Sequence, residues 1–189
     1  MIINIPNTVT DTERKMIEEE FETFKHTYLH RIALEKVLND LFSRVRAGKL
    51  IIEDKHMWSC LIEDIHYTLQ YHDMDKMINY LYLSKRETHI IHRANSYHHL
   101  ENLLPKKYKN YFEMILDWES AAITKPDKPL NAYDTLMTYY LDYRNEILPI
   151  LSMLGMNSSY RVELELTEQE KIVTVDDIIN CINVYRIYL

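Results

Sequence analysis

Along most of this chain, apolar positions recur at steps of three and four, the period of a helix buried along one stripe. The longest such run begins at Thr12 and carries Met16, Ile17, Phe21, Phe24, Tyr28, Leu29, Ile32, Leu34, Val37, Leu38 and Leu41. With Asp11 or Thr12 as its cap, the pattern predicts a helix to about Arg46 that stops at Gly48. Met57, Trp58, Leu61, Ile62, Ile65 and Leu69 form a second stripe, predicting a helix over about 55–71 capped by Asp54. An apolar turn or two at 77–83 follows, then helices over 85 to about 103 and 108 to about 123. Beyond the proline-containing loop at 124–131, further helices are predicted from 131 to about 141 and from 145 to 154, ending at Gly155. The period changes at 160–166 (YRVELEL), where apolar and charged residues alternate as in a strand, and 171–175 reads as its hairpin partner. Thr174 with Asp177 has the spacing of a capping box for a last helix over 175–188. The first ten residues, β-branched and carrying Pro6, read as an extended arm. The expected fold is all-α, a single compact helical bundle over 1–189 with a small C-terminal β-hairpin.

Composition narrows the function classes. A length of 189 residues suits one domain with its own core. Only 2 Gly and 5 Pro leave little material for tight hairpins. Gly48 and Gly155 cannot supply the closely spaced glycines of a P-loop or dinucleotide cradle. A net charge of −7 disfavours broad binding to nucleic-acid backbone. Cys60 and Cys181 lack any Cys-x-x-Cys spacing and read as reduced thiols. With no apolar run of membrane-spanning length and no signal-peptide pattern, the chain is expected to be cytoplasmic.

The candidate chemistry is concentrated between residues 72 and 117. His72, Asp73, His89, His92, His98, His99 and Asp117 all fall there. Imidazole and carboxylate are the side chains that hold zinc, iron or manganese. A His-Asp doublet is weak alone, because successive side chains on a helix point about 100° apart. On a continuous helix, however, His92, Asn95 and His99 share one face, with His89 at its margin. The alternatives are a solvated polar face or a buried polar network. Asp117 lies among Phe112, Met114, Ile115, Leu116 and Trp118, where a carboxylate needs a cation. That cation is either a metal or the side chain of Arg93 or Lys76.

An early helical His, a His-Asp doublet and a distant Asp together resemble the HD superfamily of all-helical metal-dependent phosphohydrolases. Here they are His30 (with His26 one turn before it as competitor), His72-Asp73 and Asp117. More closely, the chain looks like a family of uncharacterised phage and bacterial proteins. The matching features are His72-Asp73-x-x-Lys76, then His92, His98, His99 and Glu101, then Pro105, Lys107, Tyr108, Glu113, Met114 and Asp117. Asp75 stands where the pattern has Ser, and Asn95 is displaced by one residue. The resemblance covers roughly residues 25–123. It implies an HD-like bundle in which a divalent ion (manganese, iron, zinc, cobalt or nickel) is held by His26 or His30, His72, Asp73 and Asp117. That ion would acidify a water for attack on the phosphorus of a nucleotide or related small phosphorylated ligand. Lys76 and Arg93 would clamp phosphate, and His92, His98 and His99 would bind a second ion or protonate the leaving oxygen. The catalytic group is then Asp73, Lys76, Arg93, His98 and Glu101. A second expectation is a binding module that sequesters such a ligand without turnover. A homodimer paired through YRVELEL is also compatible with the pattern.

Overall fold

The computed structural model describes residues 7–125, 130–161 and 163–187. Among them it contains eleven α-helices: α1 (Asp11–Glu19), α2 (Phe21–Arg46), α3 (Lys55–Leu61), α4 (Ile65–Tyr71), α5 (Met74–Asn79), α6 (Lys85–Asn95), α7 (Tyr108–Thr124), α8 (Ala132–Tyr139), α9 (Arg144–Met153), α10 (Glu168–Lys171) and α11 (Val175–Arg186). A single 3₁₀ turn at Leu141–Tyr143 joins α8 to α9. No described helix is long and apolar enough to cross a membrane.

The long helices follow the hydrophobic period. α2 and α7 are the most extensively packed pair, and they form the spine of the molecule. Leu34, Leu38 and Leu41 of α2 meet Phe112 and Ile115 of α7 in a core completed by α3, α8 and α9. A second core gathers Ile17, Phe24, Met74, Met77, Leu81, Ile178 and Ile182 from α1, α2, the α5 region and α11. Turn chemistry sets the ends. Thr10 and Glu13 form a reciprocal capping box for α1, and Thr174 and Asp177 do the same for α11. Asp54 and Asn131 cap α3 and α8. Gly48 and Gly155 both adopt φ 69°, the left-handed conformation that closes a helix C-terminus.

Several expectations need correction. The first long helix is broken at Glu20, so Thr10 rather than Asp11 or Thr12 is the cap. The helix expected over 55–71 is two, separated at residues 62–64 where Asp64 takes φ 58°. The helix expected to reach 103 ends at Asn95, because Ser96 turns the chain into the extended region. No strand occurs among the described residues, so the C-terminal β-hairpin is not formed there. The alternation in YRVELEL is real but has another cause. Tyr160 and Leu164 pack against the first core and Leu166 is buried, while Arg161, Glu163 and Glu165 face out. An extended segment laid over helices shows the same period as a strand without pairing to one. Residues 171–175, its expected partner, are the end of α10, a connection and the start of α11. Residues 1–6 of the expected arm, 126–129 of the proline loop, Val162 and 188–189 lie outside the described residues.

Candidate metal centre

The site is built on α2, α7 and the breaks at either end of α5 and α6. On α7, Glu113, Asp117, Ser120 and Thr124 fall at steps of four, three and four, which aligns them on one face. That face meets His30 of α2. His30 Nε2 lies 2.7 Å from Asp117 Oδ1, and its ring is flanked by the Ser120 and Thr124 hydroxyls. His26, one turn earlier, is exposed at the rim of the adjoining cavity, so the geometry separates the two candidates for the early His.

The doublet is not on a helix. His72 ends α4 with φ −51° and ψ 125°, and Asp73 follows at φ 60° and ψ 8°. This break lets two adjacent side chains turn to the same centre, which a regular helix forbids. A left-handed backbone is costly for most residues but tolerated by Asp and Asn. Lys76 pins the strained residue by donating from Nζ to Asp73 Oδ2 at 2.8 Å. Burial disfavours the Lys76 cation, but the charges of Asp73 and Asp117 outweigh it and raise its pKa.

α6 contributes His92, and the turn after it brings back His98 and His99. His92 and His99 approach to 2.9 Å between Nε2 atoms, although they do not share a helix. Asn95 faces solvent and donates to the Ile91 carbonyl, so it is not part of the centre. His92 Nε2 lies 3.1 Å from Asp73 Oδ1, and His98 Nε2 and His72 Nε2 each lie 3.8 Å from that oxygen. His72 Nε2 is also 3.7 Å from Asp117 Oδ1. Two sets of potential ligand atoms meet at Asp73, each within 4.8 Å: His30, His72 and Asp73, and His92, His98 and His99; a third set, His72, His98 and Glu113, overlaps them. Asp73 touches the first two.

Carboxylates outside this ring orient it. Glu113 Oε1 accepts from His72 Nδ1 at 3.0 Å and lies 3.2 Å from His98 Nδ1. The two oxygens of Asp75 lie 2.9 and 2.8 Å from His92 Nδ1. A histidine that commits Nδ1–H to a carboxylate presents its Nε2 lone pair to a metal, the usual arrangement around bound ions. Glu113 and Asp75 were not among the site residues expected from sequence. Glu113 was visible in the matched Glu-Met-x-x-Asp pattern one turn before Asp117, without a role, and Asp75 as a departure from the expected Ser.

The residues fit a divalent cation. His72 Nε2, Asp73 Oδ1 and His98 Nε2 are buried, make no hydrogen bond and lie together, both nitrogens 3.8 Å from the oxygen, whereas the other such atoms belong to Arg31, Thr88, Glu119 and Arg186; buried polar atoms ordinarily have partners. A cation bound between them supplies the missing partner, and a mixed imidazole and carboxylate set suits manganese, iron, cobalt, nickel or zinc. The local charge agrees. Burial opposes a charge on His72, yet Asp73, Asp117 and Glu113 push its pKa up to about 10. Burial would raise Glu113, but its hydrogen bonds to His72 and His98 hold it at about 2. The carboxylates gathered here stabilise positive charge at the centre, whether on an imidazolium or on a bound cation.

A cavity of about 450 Å³ opens beside the centre, lined by His30, Asp73, His92, His99 and Asp117 below and by Lys76, Lys85, Arg93 and Lys125 around it. His89 is on its wall. Burial, with the charges of Lys76 and Lys85, lowers its pKa to about 4, and its Nε2 is 3.0 Å from the Tyr80 hydroxyl. His89 thus lies outside the ligand ring. Arg93 is exposed and ion-paired with Glu101, so Glu101 stands away from the ligands and occupies the guanidinium expected to clamp phosphate. Trp118 and Tyr140 stack in parallel on another wall at 5.2 Å between centroids. A second cavity, of about 720 Å³, carries Tyr67, Tyr71, Tyr97 and Tyr185 and is lined by His72, Asp73, Asp75, His98 and Glu113. No protein-family model matches the chain, and no curated protein or solved structure shows significant similarity to it.

Proposed function

We propose that this protein is a metal-dependent phosphohydrolase of the HD type, acting on a nucleotide or a related small phosphoester. The observation that carries the reading is the convergence of His72 Nε2 and His98 Nε2, buried and without a hydrogen bond, on Asp73 Oδ1, whose residue also lines the lysine-bearing cavity with His30, His92, His99 and Asp117. His30, His72, Asp73 and Asp117 would hold one ion. His92, His98 and His99 would hold a second, with Asp73 between the two. Bound there, a divalent ion supplies acidification of water and neutralisation of phosphoryl charge.

The chain's own residues have separable parts in this reading. Lys76 keeps Asp73 in place and adds positive charge at the base of the cavity. Lys85 and Lys125, both exposed at its walls, attract the phosphate of an incoming ligand in spite of the chain's net charge of −7. The Trp118–Tyr140 stack offers an aromatic wall to a base or other planar group. His99 is half-buried and lines the cavity. Burial, reinforced by His98, lowers its pKa to about 2, so it stays neutral and suits ligation rather than proton donation.

The test is a screen of mono-, di- and triphosphate esters with the protein loaded with manganese or cobalt, reading released phosphate. Turnover that disappears in Asp117→Ala supports hydrolysis. Tight stoichiometric retention of a nucleotide without turnover assigns the same cavity to a sequestering module instead.

A further inference from the structure

Glu113 stands behind both sets of ligand atoms. Its Oε1 is 3.0 Å from His72 Nδ1 and 3.2 Å from His98 Nδ1. His72 belongs to the set with His30 and Asp73, and His98 to the set with His92 and His99, while a third set joins both rings to Glu113 itself. The two rings pack at 4.6 Å between centroids, and the Nε2 of each turns to the same Asp73 oxygen. Two other rings of the centre have separate supports. His92 is held by Asp75 and His30 by Asp117 with Ser120. Among the described residues, Glu113 is the one outer carboxylate that contacts a ligand of each set.

We infer that Glu113 is a positioning residue that couples two ion sites: by orienting His72 and His98 through one oxygen, it makes loading of either site depend on the same clasp. The inference rests on reading the ring as a metal centre. Its chemistry is ordinary. An imidazole whose Nδ1–H is fixed by a carboxylate is a stronger and better aligned Nε2 ligand, and removing such a partner weakens metal binding about 10–100-fold. Removing a clasp on one ring weakens one site. Removing a clasp shared by two rings weakens both.

The experiment is calorimetric titration of the full chain with Mn²⁺ and with Co²⁺, in wild type, Glu113→Gln and Asp75→Asn. The glutamine keeps the size and removes the charge, and circular dichroism monitors the fold. In parallel, proton NMR of the metal-free proteins reads the downfield imidazole N–H signals of the clasped rings. The expected result is two equivalents in wild type. Glu113→Gln should weaken both by tenfold or more and lose two N–H signals, whereas Asp75→Asn should weaken only one equivalent. A folded Glu113→Gln protein that keeps either equivalent within twofold of wild type overturns the coupling, as does a wild type that binds a single ion. A wild type that takes up neither ion overturns the metal reading itself. Loss of the two N–H signals in Glu113→Gln still reports the clasp in that case, so the two failures are told apart.

Discussion

Asp73 concentrates the strain and the chemistry of this protein in one residue. Its φ of 60° is carried by a residue type that tolerates the left-handed region, and its two oxygens divide between Lys76 and the histidines. Asp73→Asn should therefore stay folded while losing the ligand charge, and Asp73→Ala should be less stable than Asp73→Asn by about 1–2 kcal/mol, the left-handed penalty of an ordinary side chain. Urea unfolding of the two variants side by side measures that difference. Glu119, two residues beyond Asp117, shows a different kind of cost. It is fully buried, its Oε1 accepts from the Ala132 N–H, and its Oε2 has no partner. Burial pushes its pKa up to about 7 from an ordinary 4.5. A folded pKa above the unfolded one means stability is highest below pH 4.5 and declines as pH rises towards 7. Glu119→Gln, neutral throughout, should be more stable than wild type at pH 8, by at most about 3 kcal/mol, with the gap closing below pH 5. Denaturant midpoints at the two pH values check this. The identities of these residues were legible in the sequence, since His72, Asp73 and Asp117 stand out by type and context. Their roles were not. Whether Asp75 is a departure or a clasp depends on where His92 Nδ1 lies, and nothing local to Asp75 records that.

At the scale of elements, the sequence was most informative where one helix face is buried for many turns. α2, α7 and α11 follow their apolar stripes, and capping boxes mark α1 and α11. It was least informative at breaks without glycine or proline. The interruptions at Glu20, at residues 62–64 and at His72–Asp73 are imposed by tertiary packing and pass through residues of ordinary helix propensity. The YRVELEL segment shows the converse, because alternation reports which side is buried and not whether a partner strand exists. One contact between elements has a measurable consequence. Arg186 of α11 donates to both oxygens of Glu13 on α1, at 2.7 and 3.1 Å, with both side chains buried, and the Tyr82 hydroxyl joins them. Burial alone would raise the pKa of Glu13, but the hydrogen bonds from Arg186, Thr10 and Tyr82 prevail and hold it at about 2. A depressed carboxylate contributes stability that is complete above pH 4.5 and is lost as pH falls towards 2. Glu13→Gln leaves Arg186 buried and unpaired, so it should cost about 3–5 kcal/mol at neutral pH. It should also flatten the acid limb of the stability profile, which thermal melts from pH 7 to pH 3 would show.

Across the whole molecule, the α2–α7 spine and the returns of the chain at α5 and α6 bring together five histidines and two aspartates that span residues 30–117. A cation bound to this folded arrangement and not to the unfolded chain must raise stability by mass action, by about 2.7 kcal/mol at a hundred times its dissociation constant. Addition of a chelator to metal-loaded protein should accordingly lower the melting temperature, and addition of Mn²⁺ should restore it, with Asp117→Ala insensitive to both. The most direct measurement is the metal content of purified wild-type protein beside Asp73→Asn and Asp117→Ala, each shown to be folded by circular dichroism. Wild type is expected to carry one or two equivalents of a transition metal that both variants lose. A wild type that is metal-free, and that takes up none from added manganese, iron or zinc, would contradict a metal centre at these residues and leave the buried imidazoles as a structural network.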